Sequence, residues 1–190
     1  MMPGFERVAE RLRQSLVQVL PGRGGGAGVI WDASGYIVTN AHVLPGENAA
    51  SEKVGIIDAS GRRSVARVIL RDRERDLALL HTAPIASISP PEIGDSDSLR
   101  PGQLVFALGN PLGLTGAVSA GVIHAVGPIS GRNWIQADVR LAPGNSGGML
   151  ADASGRVIGV TTMIWNGIAL AIPSREVNAF AQRVYLKKTA

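Results

Sequence analysis

From Val29 onward the chain consists of short β-branched and apolar runs, most of them closed by Gly, Pro or Asp. Three closures are the same tetrapeptide: Asp32-Ala33-Ser34-Gly35, Asp58-Ala59-Ser60-Gly61 and Asp152-Ala153-Ser154-Gly155. In each, the Asp carboxylate can accept from N–H groups of the turn while Gly takes a positive φ, so a tight hairpin is expected. Short strands separated by such turns specify an all-β architecture rather than an alternation of helix and strand. The flanks of the first and third turns, Tyr36-Ile37-Val38-Thr39 and Arg156-Val157-Ile158-Gly159, are alike. That fits two β-barrels of related plan divided near residue 100, and it also fits mere reuse of a good turn.

Only the ends break the pattern. Phe5, Val8, Ala9 and Leu12 recur at helical spacing, which predicts a short amphipathic helix over 4–13. Leu16-Val17-Gln18-Val19-Leu20 then reads as a strand ended by Pro21-Gly22. Val177, Phe180, Ala181 and Val184 predict a C-terminal helix over 174–187, with Ser174 as its N-cap and Glu176 in its first turn. The expected organisation is one domain over 1–190, with barrels over about 15–100 and 101–173.

A chain of 190 residues can bury a sizeable core. No run approaches the ~20 apolar residues of a membrane span. Met1–Glu6 carries no secretory leader, although a chain trimmed of one would read the same. The absence of cysteine excludes disulfides and thiolate chemistry, so packing alone must hold the fold. The net charge of +4 is mild. Its basic cluster (Arg62, Arg63, Arg67, Arg71, Arg73, Arg75) is interrupted by Asp72 and Glu74 and poor in aromatics. It reads as a solvated face or protected strand edges, not a nucleic-acid surface. The glycines at 24–28 lack the Gly-Lys-Ser/Thr that a phosphate loop needs.

The chemistry concentrates in Gly144-Asn145-Ser146-Gly147-Gly148, a serine set among glycines. Upstream lie His42, in Thr39-Asn40-Ala41-His42, and Asp76, at the head of Leu77-Ala78-Leu79-Leu80. A serine hydroxyl needs a base to attack at neutral pH, and the base needs a group to orient it. The α/β-hydrolase elbow also carries G-x-S-x-G, but it requires a histidine after the serine. All three histidines, His42, His81 and His124, precede Ser146. The subtilisin order would draw its acid from Asp32, which sits in a turn with no helix–strand alternation after it. His, Asp, Ser is the order of the two-barrel β proteases. Asp76 is preferred to Asp72 because it abuts an apolar run that buries it, while Asp72 lies among charges. His81 and His124 read as strand-end residues without matching partners.

These residues resemble the protease domain of the HtrA/Deg family of trypsin-like serine endopeptidases, over about residues 5–180. The resemblance runs through Gly35–Val43, Asp76–Leu80, Gly109-Asn110-Pro111-Leu112-Gly113-Leu114, Pro143–Gly148 and Ala171-Ile172-Pro173-Ser174. It implies an all-β, trypsin-like double β-barrel with short terminal helices. Its catalytic residues would be His42, Asp76 and Ser146, with an oxyanion hole at Gly144, Asn145 and Ser146 and no metal or organic cofactor. It further implies that Thr161, Thr162 and Met163 pair with an extended substrate, and that Leu141, Trp165 and Ile168 line the primary pocket. The substrate would be unfolded or flexible polypeptide, cut after a small or medium apolar residue. The alternative is a non-catalytic chaperone that holds polypeptide on the same scaffold by strand addition.

Several positions depart from the family pattern or qualify it. Arg140 stands where a small residue is usual, which leaves an acidic preference open. Met149 replaces the usual proline, and Thr162–Ala169 is short. Asn145 stands where digestive relatives use an aspartate that pairs with a freshly cut N-terminus. Activity is therefore expected to depend on ordering of 128–134 and 141–145. The resemblance also implies a homotrimer built on N-terminal aromatics, of which Phe5 is the only one before Trp31. A chain of this length leaves no room for the PDZ domains many relatives carry, whether naturally or by truncation, and the family suggests a periplasmic or cell-envelope setting, with the cytoplasm expected if the chain is untrimmed.

Overall fold

Residues 4–22, 24–46, 53–84, 88–114 and 116–188 are described by the structure, a computed structural model. Helix α1 (Phe5–Arg13) leads into β1 (Leu16–Leu20), β2 (Gly26–Ile30), β3 (Tyr36–Thr39), β4 (Lys53–Ile57), β5 (Arg63–Asp72) and β6 (Leu77–His81). There follow β7 (Leu104–Gly109), β8 (Ala117–Ile129), β9 (Arg132–Ala137), β10 (Met149–Asp152), β11 (Val157–Trp165), β12 (Ile168–Pro173) and α2 (Ser174–Lys188). The first six strands close a barrel in the order β1-β2-β3-β6-β5-β4. The second six close another, β7-β8-β9-β12-β11-β10, by the same plan. All ladders are antiparallel, and closure leaves neither sheet a free outer strand. This is a trypsin-like double barrel with terminal helices.

The repeated tetrapeptide makes three hairpin turns of one kind. Asp32, Asp58 and Asp152 each accept from the N–H groups two and four residues on, at 2.8–3.2 Å. The glycine that follows takes φ +91°, +84° and +80° respectively. Their places in the barrels decide between the two readings of the repeat. Asp58 and Asp152 turn the equivalent hairpins β4–β5 and β10–β11, whereas Asp32 turns β2–β3. The counterpart of Asp32 is the β8–β9 turn at Ser130-Gly131. Similar flanks on the first and third turns thus reflect shared strand chemistry, since turn sequence reports local geometry and not position in a barrel.

Alternation along each strand divides the core. Ala78 and Leu80 of β6 point into the first barrel with Val17, Ile37, Ile56 and Val68. Leu77 and Leu79 point outward to join Phe106, Leu108, Met149, Val160 and Phe180 between the barrels. Val105 and Ala107 of β7 fill the second barrel with Ile123, Ile135 and Leu150. A strand buried on both faces reads as a continuous apolar run, which is why Leu77–Leu80 lacks a polar alternate. Met149 is fully buried in this central layer.

The helices close the ends. Val8, Ala9 and Leu12 bury one face of α1, and Phe5 stacks on Phe106 with ring centroids 4.3 Å apart. Val177, Phe180 and Ala181 bury one face of α2, and Asn178 accepts from the Trp31 indole at 3.0 Å. Ser174 is not the cap of α2: its hydroxyl donates to the Gly94 carbonyl at 2.7 Å, and Ser96 Oγ accepts from Arg175 N–H at 3.2 Å. A buried loop carbonyl outcompetes the helix end for that hydroxyl. Among the described residues, no helix is long and apolar enough to cross a membrane.

Candidate active site

His42 lies in a 3₁₀ turn, Ala41–Val43, that leaves β3. Asp76 is the residue before β6, and the ladder sets β3 beside β6, with Thr39 opposite Ala78. The register thus delivers the histidine turn to the aspartate. His42 N–H donates to Asp76 Oδ1 at 2.9 Å, and the ring Nδ1 lies 2.7 Å from Oδ2. A carboxylate can only accept, so Nδ1 carries the proton and Nε2 is left as the basic nitrogen. The hydrogen bond to Asp76 raises the His42 pKa above its ordinary value, burial opposes this, and the carboxylate charge adds to the rise.

Arg71 secures the same turn from behind. Its guanidinium donates to the carbonyls of Ala41 (2.7 Å), Leu44 (2.6 Å), Pro45 and Gly46 (both 2.9 Å). Read as part of a solvated basic face, Arg71 is instead turned inward onto the loop that bears His42. A planar fork can satisfy several carbonyls at once, and sequence periodicity gives no sign of it.

Ser146 hangs between the barrels. Its carbonyl accepts from Ala27 N–H of β2 at 2.8 Å, while Gly147 N–H donates to Thr161 of β11 at 2.9 Å. Gly147, at φ +83°, leaves no room for a side chain: a Cβ there would lie 2.2 Å from the Ala27 oxygen. Ser146 Oγ donates to the Thr162 carbonyl at 3.0 Å. Thr162 sits where the β11–β12 register slips between Thr161 and Met163, a bulge that frees its carbonyl for the hydroxyl.

The loop before Ser146 turns tightly. Asn145 N–H donates to Ala142 at 3.0 Å and Gly144 takes φ +103°. Among the described residues, the N–H groups of Gly144 and Ser146 donate to nothing else, whereas that of Asn145 is committed to its turn. The Asn145 side chain is buried beside Gly109. Residues 128–134, whose ordering is expected to govern activity, extend the β8–β9 ladder and reverse at Ser130 and Gly131, both at positive φ. From that hairpin Arg132 donates to the Arg75 carbonyl, next to Asp76, at 2.7 Å.

The other expected contact residues spread along β11 and its neighbours. Thr161 and Thr162 are buried, and Met163, Ile164 and Trp165 are exposed. Thr161 bonds Gly147 and Gly148, and the Thr162 carbonyl accepts from Ser146, so of the three residues expected to pair with substrate only Met163, followed by Ile164 and Trp165, ladders with β12 alone among the described residues. Trp165 faces Ile168 across the hairpin, and Leu141 packs partly buried on the second-barrel core. Arg140 is exposed, its carbonyl held by Ser119 at 2.8 Å. His81 contacts the Ser34 carbonyl at 3.1 Å. His124 is exposed within β8, inside the strand and not at its end. Beyond Gly144 lies a hollow of about 240 Å³ lined by Gly24, Gly25, Gly26, Asn110 and Gly113. A larger hollow of about 760 Å³, between α2, β9 and Arg75, is lined by carboxylates, arginines and apolar groups with no serine, cysteine or histidine among them.

Known proteins match this arrangement. The trypsin-like peptidase domain matches residues 26–160. The chain is 36% identical over 175 residues to the probable periplasmic serine protease do/HhoA-like of Haemophilus influenzae, across 85% of this chain and 37% of that protein. It is 40% identical over 165 residues to the periplasmic serine endoprotease DegP of Salmonella typhimurium, across 80% of this chain and 34% of that one. Among solved structures, the HtrA-type protease AlgW with tripeptide superposes with a TM-score of 0.86 at 31% identity, covering 96% of this chain and 64% of that chain. The chain spans little more than a third of the length of the curated relatives it matches. With the double barrel and these likenesses in agreement, the chain belongs to the HtrA/Deg family of trypsin-like serine proteases.

Proposed function

We propose that the protein is a serine endopeptidase that hydrolyses peptide bonds in unfolded or flexible polypeptide through Ser146, His42 and Asp76. The observation that carries this is the His42–Asp76 pair, bonded at both the backbone and the ring, on the barrel that also holds the Ser146 carbonyl. Ser146 Oγ attacks the substrate carbonyl carbon while His42 Nε2 takes its proton. Asp76 keeps the ring in the tautomer that leaves Nε2 basic and stabilises the imidazolium that forms. The uncommitted N–H groups of Gly144 and Ser146 receive the developing oxyanion, each worth roughly 2.7–4 kcal/mol in the transition state. The imidazolium protonates the leaving amine, and water enters by the same base to release the acyl group from Ser146.

Substrate binds in this reading as an added strand on the open edge of β11 at Met163–Trp165, with Leu141, Trp165 and Ile168 around the residue before the cut. Strand addition reads backbone, so it selects extended and unfolded chains over folded ones. Removal of damaged protein is the cellular role assigned. Likeness to the periplasmic relatives supports a setting in the periplasm or cell envelope. Ordering of 128–134 and 141–145 by substrate, and trimer formation through the N-terminal segment, belong to the same reading.

The open β11 edge also favours a second reading, a binder that holds polypeptide without cutting it. Casein incubated with wild type and Ser146→Ala separates the two. Fragments from wild type alone support the endopeptidase, and the residues before each cut decide between an apolar pocket and one steered by Arg140. No fragments from either, with aggregation suppressed equally by both, would overturn it in favour of the binder.

A further inference from the structure

Asn40 is a polar residue of the histidine segment to which the catalytic roles assign nothing. Its side chain is fully buried, and its Nδ2 serves both barrels. It donates to the main-chain carbonyl of Asp76 at 2.9 Å and to Thr162 Oγ1 at 3.1 Å. The amide orientation is dictated by those partners. A carbonyl can only accept, so the nitrogen must face Asp76. Thr162 donates its own hydroxyl proton to the Val160 carbonyl at 3.1 Å, which leaves Oγ1 as an acceptor too. Asn40 Oδ1 is consequently buried with no partner among the described residues. An unpaired buried amide oxygen is unfavourable, so the two bonds made by the nitrogen must outweigh it.

What they hold is a peptide in an uncommon conformation. Asp76 adopts φ +52°, in the left-handed region that costs a residue with a side chain. The carbonyl bound by Asn40 is that residue's own. At the other end, Thr162 is the bulged residue whose carbonyl receives the Ser146 hydroxyl. One side-chain amide therefore links the acid of the first barrel to the strand that meets the nucleophile in the second.

We propose that Asn40 is a positioning residue of the active site, which pins the left-handed peptide of Asp76 and locks the Thr162 bulge against it. The proposal rests on the reading of His42, Asp76 and Ser146 given above. Asn40 touches neither substrate nor reacting atoms. It keeps the two halves of the site in register across the seam between barrels.

The test compares wild type, Asn40→Ala, Thr162→Val and the double variant by steady-state kinetics on a fluorogenic peptide. In parallel, nuclear magnetic resonance follows the His42 titration and its downfield Nδ1–H proton, which require no turnover. Asn40→Ala should lower kcat by about tenfold to a hundredfold, the cost of a small misplacement, with KM nearly unchanged. The His42 titration should move down in pH, and the double variant should be no worse than Asn40→Ala, because the two share one interaction. A folded Asn40→Ala with wild-type kcat and wild-type His42 titration would overturn the proposal, as would losses that multiply in the double variant. If Asn40→Ala does not fold, Thr162→Val decides alone: reduced kcat with a displaced His42 titration supports the link, and wild-type behaviour sinks it. If the wild type cuts nothing but Asn40→Ala still displaces the His42 resonance, the endopeptidase reading fails and the positioning of the His42–Asp76 pair stands.

Discussion

The hydroxyl of Ser146 donates to the carbonyl of Thr162, 3.0 Å away, and so rests on the strand where substrate would bind. In the proposed reaction it turns toward His42 and releases that carbonyl. The bond is one neutral hydrogen bond, worth about 1 kcal/mol. Ser146→Ala should therefore cost no more than about 1 kcal/mol in urea denaturation while hydrolysis falls by about three orders of magnitude or more. A large loss of stability would mean that Ser146 holds the seam structurally as well.

Activity should rise with pH as His42 loses its proton. Because the hydrogen bond to Asp76 raises the His42 pKa, the acid limb of the kcat/KM profile should lie above the ordinary histidine value of about 6.5. Asp76→Asn should move that limb down and lower kcat by about 10⁴-fold. The stability contribution of the pair has the opposite pH dependence. It is fully present below the unfolded histidine value and is lost as pH rises through the raised folded value. A pH–rate profile and denaturation at matched pH values check both signs.

Gly147→Ala should be among the most damaging single substitutions. Its φ of +83° disfavours any side chain, and a Cβ would meet the Ala27 oxygen at 2.2 Å and Thr39 Oγ1 at 2.3 Å. Both neighbours belong to the first barrel, so relief requires the barrels to part. A loss of about 3 kcal/mol or more is expected in chemical denaturation, together with loss of hydrolysis.

Arg71→Lys should fail to restore what Arg71→Met removes. Four carbonyls of the His42 turn receive the guanidinium, and an ammonium cannot reproduce a planar fork. Each variant should lose about 2 kcal/mol or more, as charged hydrogen bonds do, and amide exchange in 41–46 should quicken. Equal exchange in wild type and Arg71→Lys would refute the role of the fork.

Acid should destabilise the fold through its turn carboxylates. Burial pushes the Asp58 pKa up, but hydrogen bonds from Ser60 and Arg62 outweigh it and hold the carboxyl below its ordinary range. At Asp72, burial is likewise outweighed by bonds from Arg75 and Arg183. Such groups stabilise above the unfolded aspartate value of about 3.9, and the contribution disappears as pH falls through the lowered folded value. The denaturation midpoint of Asp58→Asn should therefore vary less than that of wild type below about pH 4.

Several elements were legible in the residues because they are local. Each Asp-Ala-Ser-Gly turn closes through the carboxylate and glycine inside one tetrapeptide, so its geometry travels with its sequence. The helix faces at Val8 and Phe180 follow from spacing alone. The preference for Asp76 over Asp72 rested on Leu77–Leu80, an apolar run that the structure buries between two barrels. Ser174 was misread because a serine before a helix has several acceptors within reach, and Gly94 arrives from 80 residues away. Arg71 and Asn40 were opaque for the same reason. One binds carbonyls 25–30 residues distant, the other a hydroxyl 122 residues distant, and nothing in their own neighbourhoods marks either contact.

Strands, turns, the order His42, Asp76, Ser146 and the glycines that let the chain pass closely around the serine are readable in the residues themselves. These depend on backbone preference and on alternation, which act over a few residues. The tertiary structure alone decided which hairpins are equivalent, which way Ser146 points, and how Asn40 and Arg71 are bonded. Those depend on register between strands far apart in the chain, and register is settled only when both barrels close and bury a common layer.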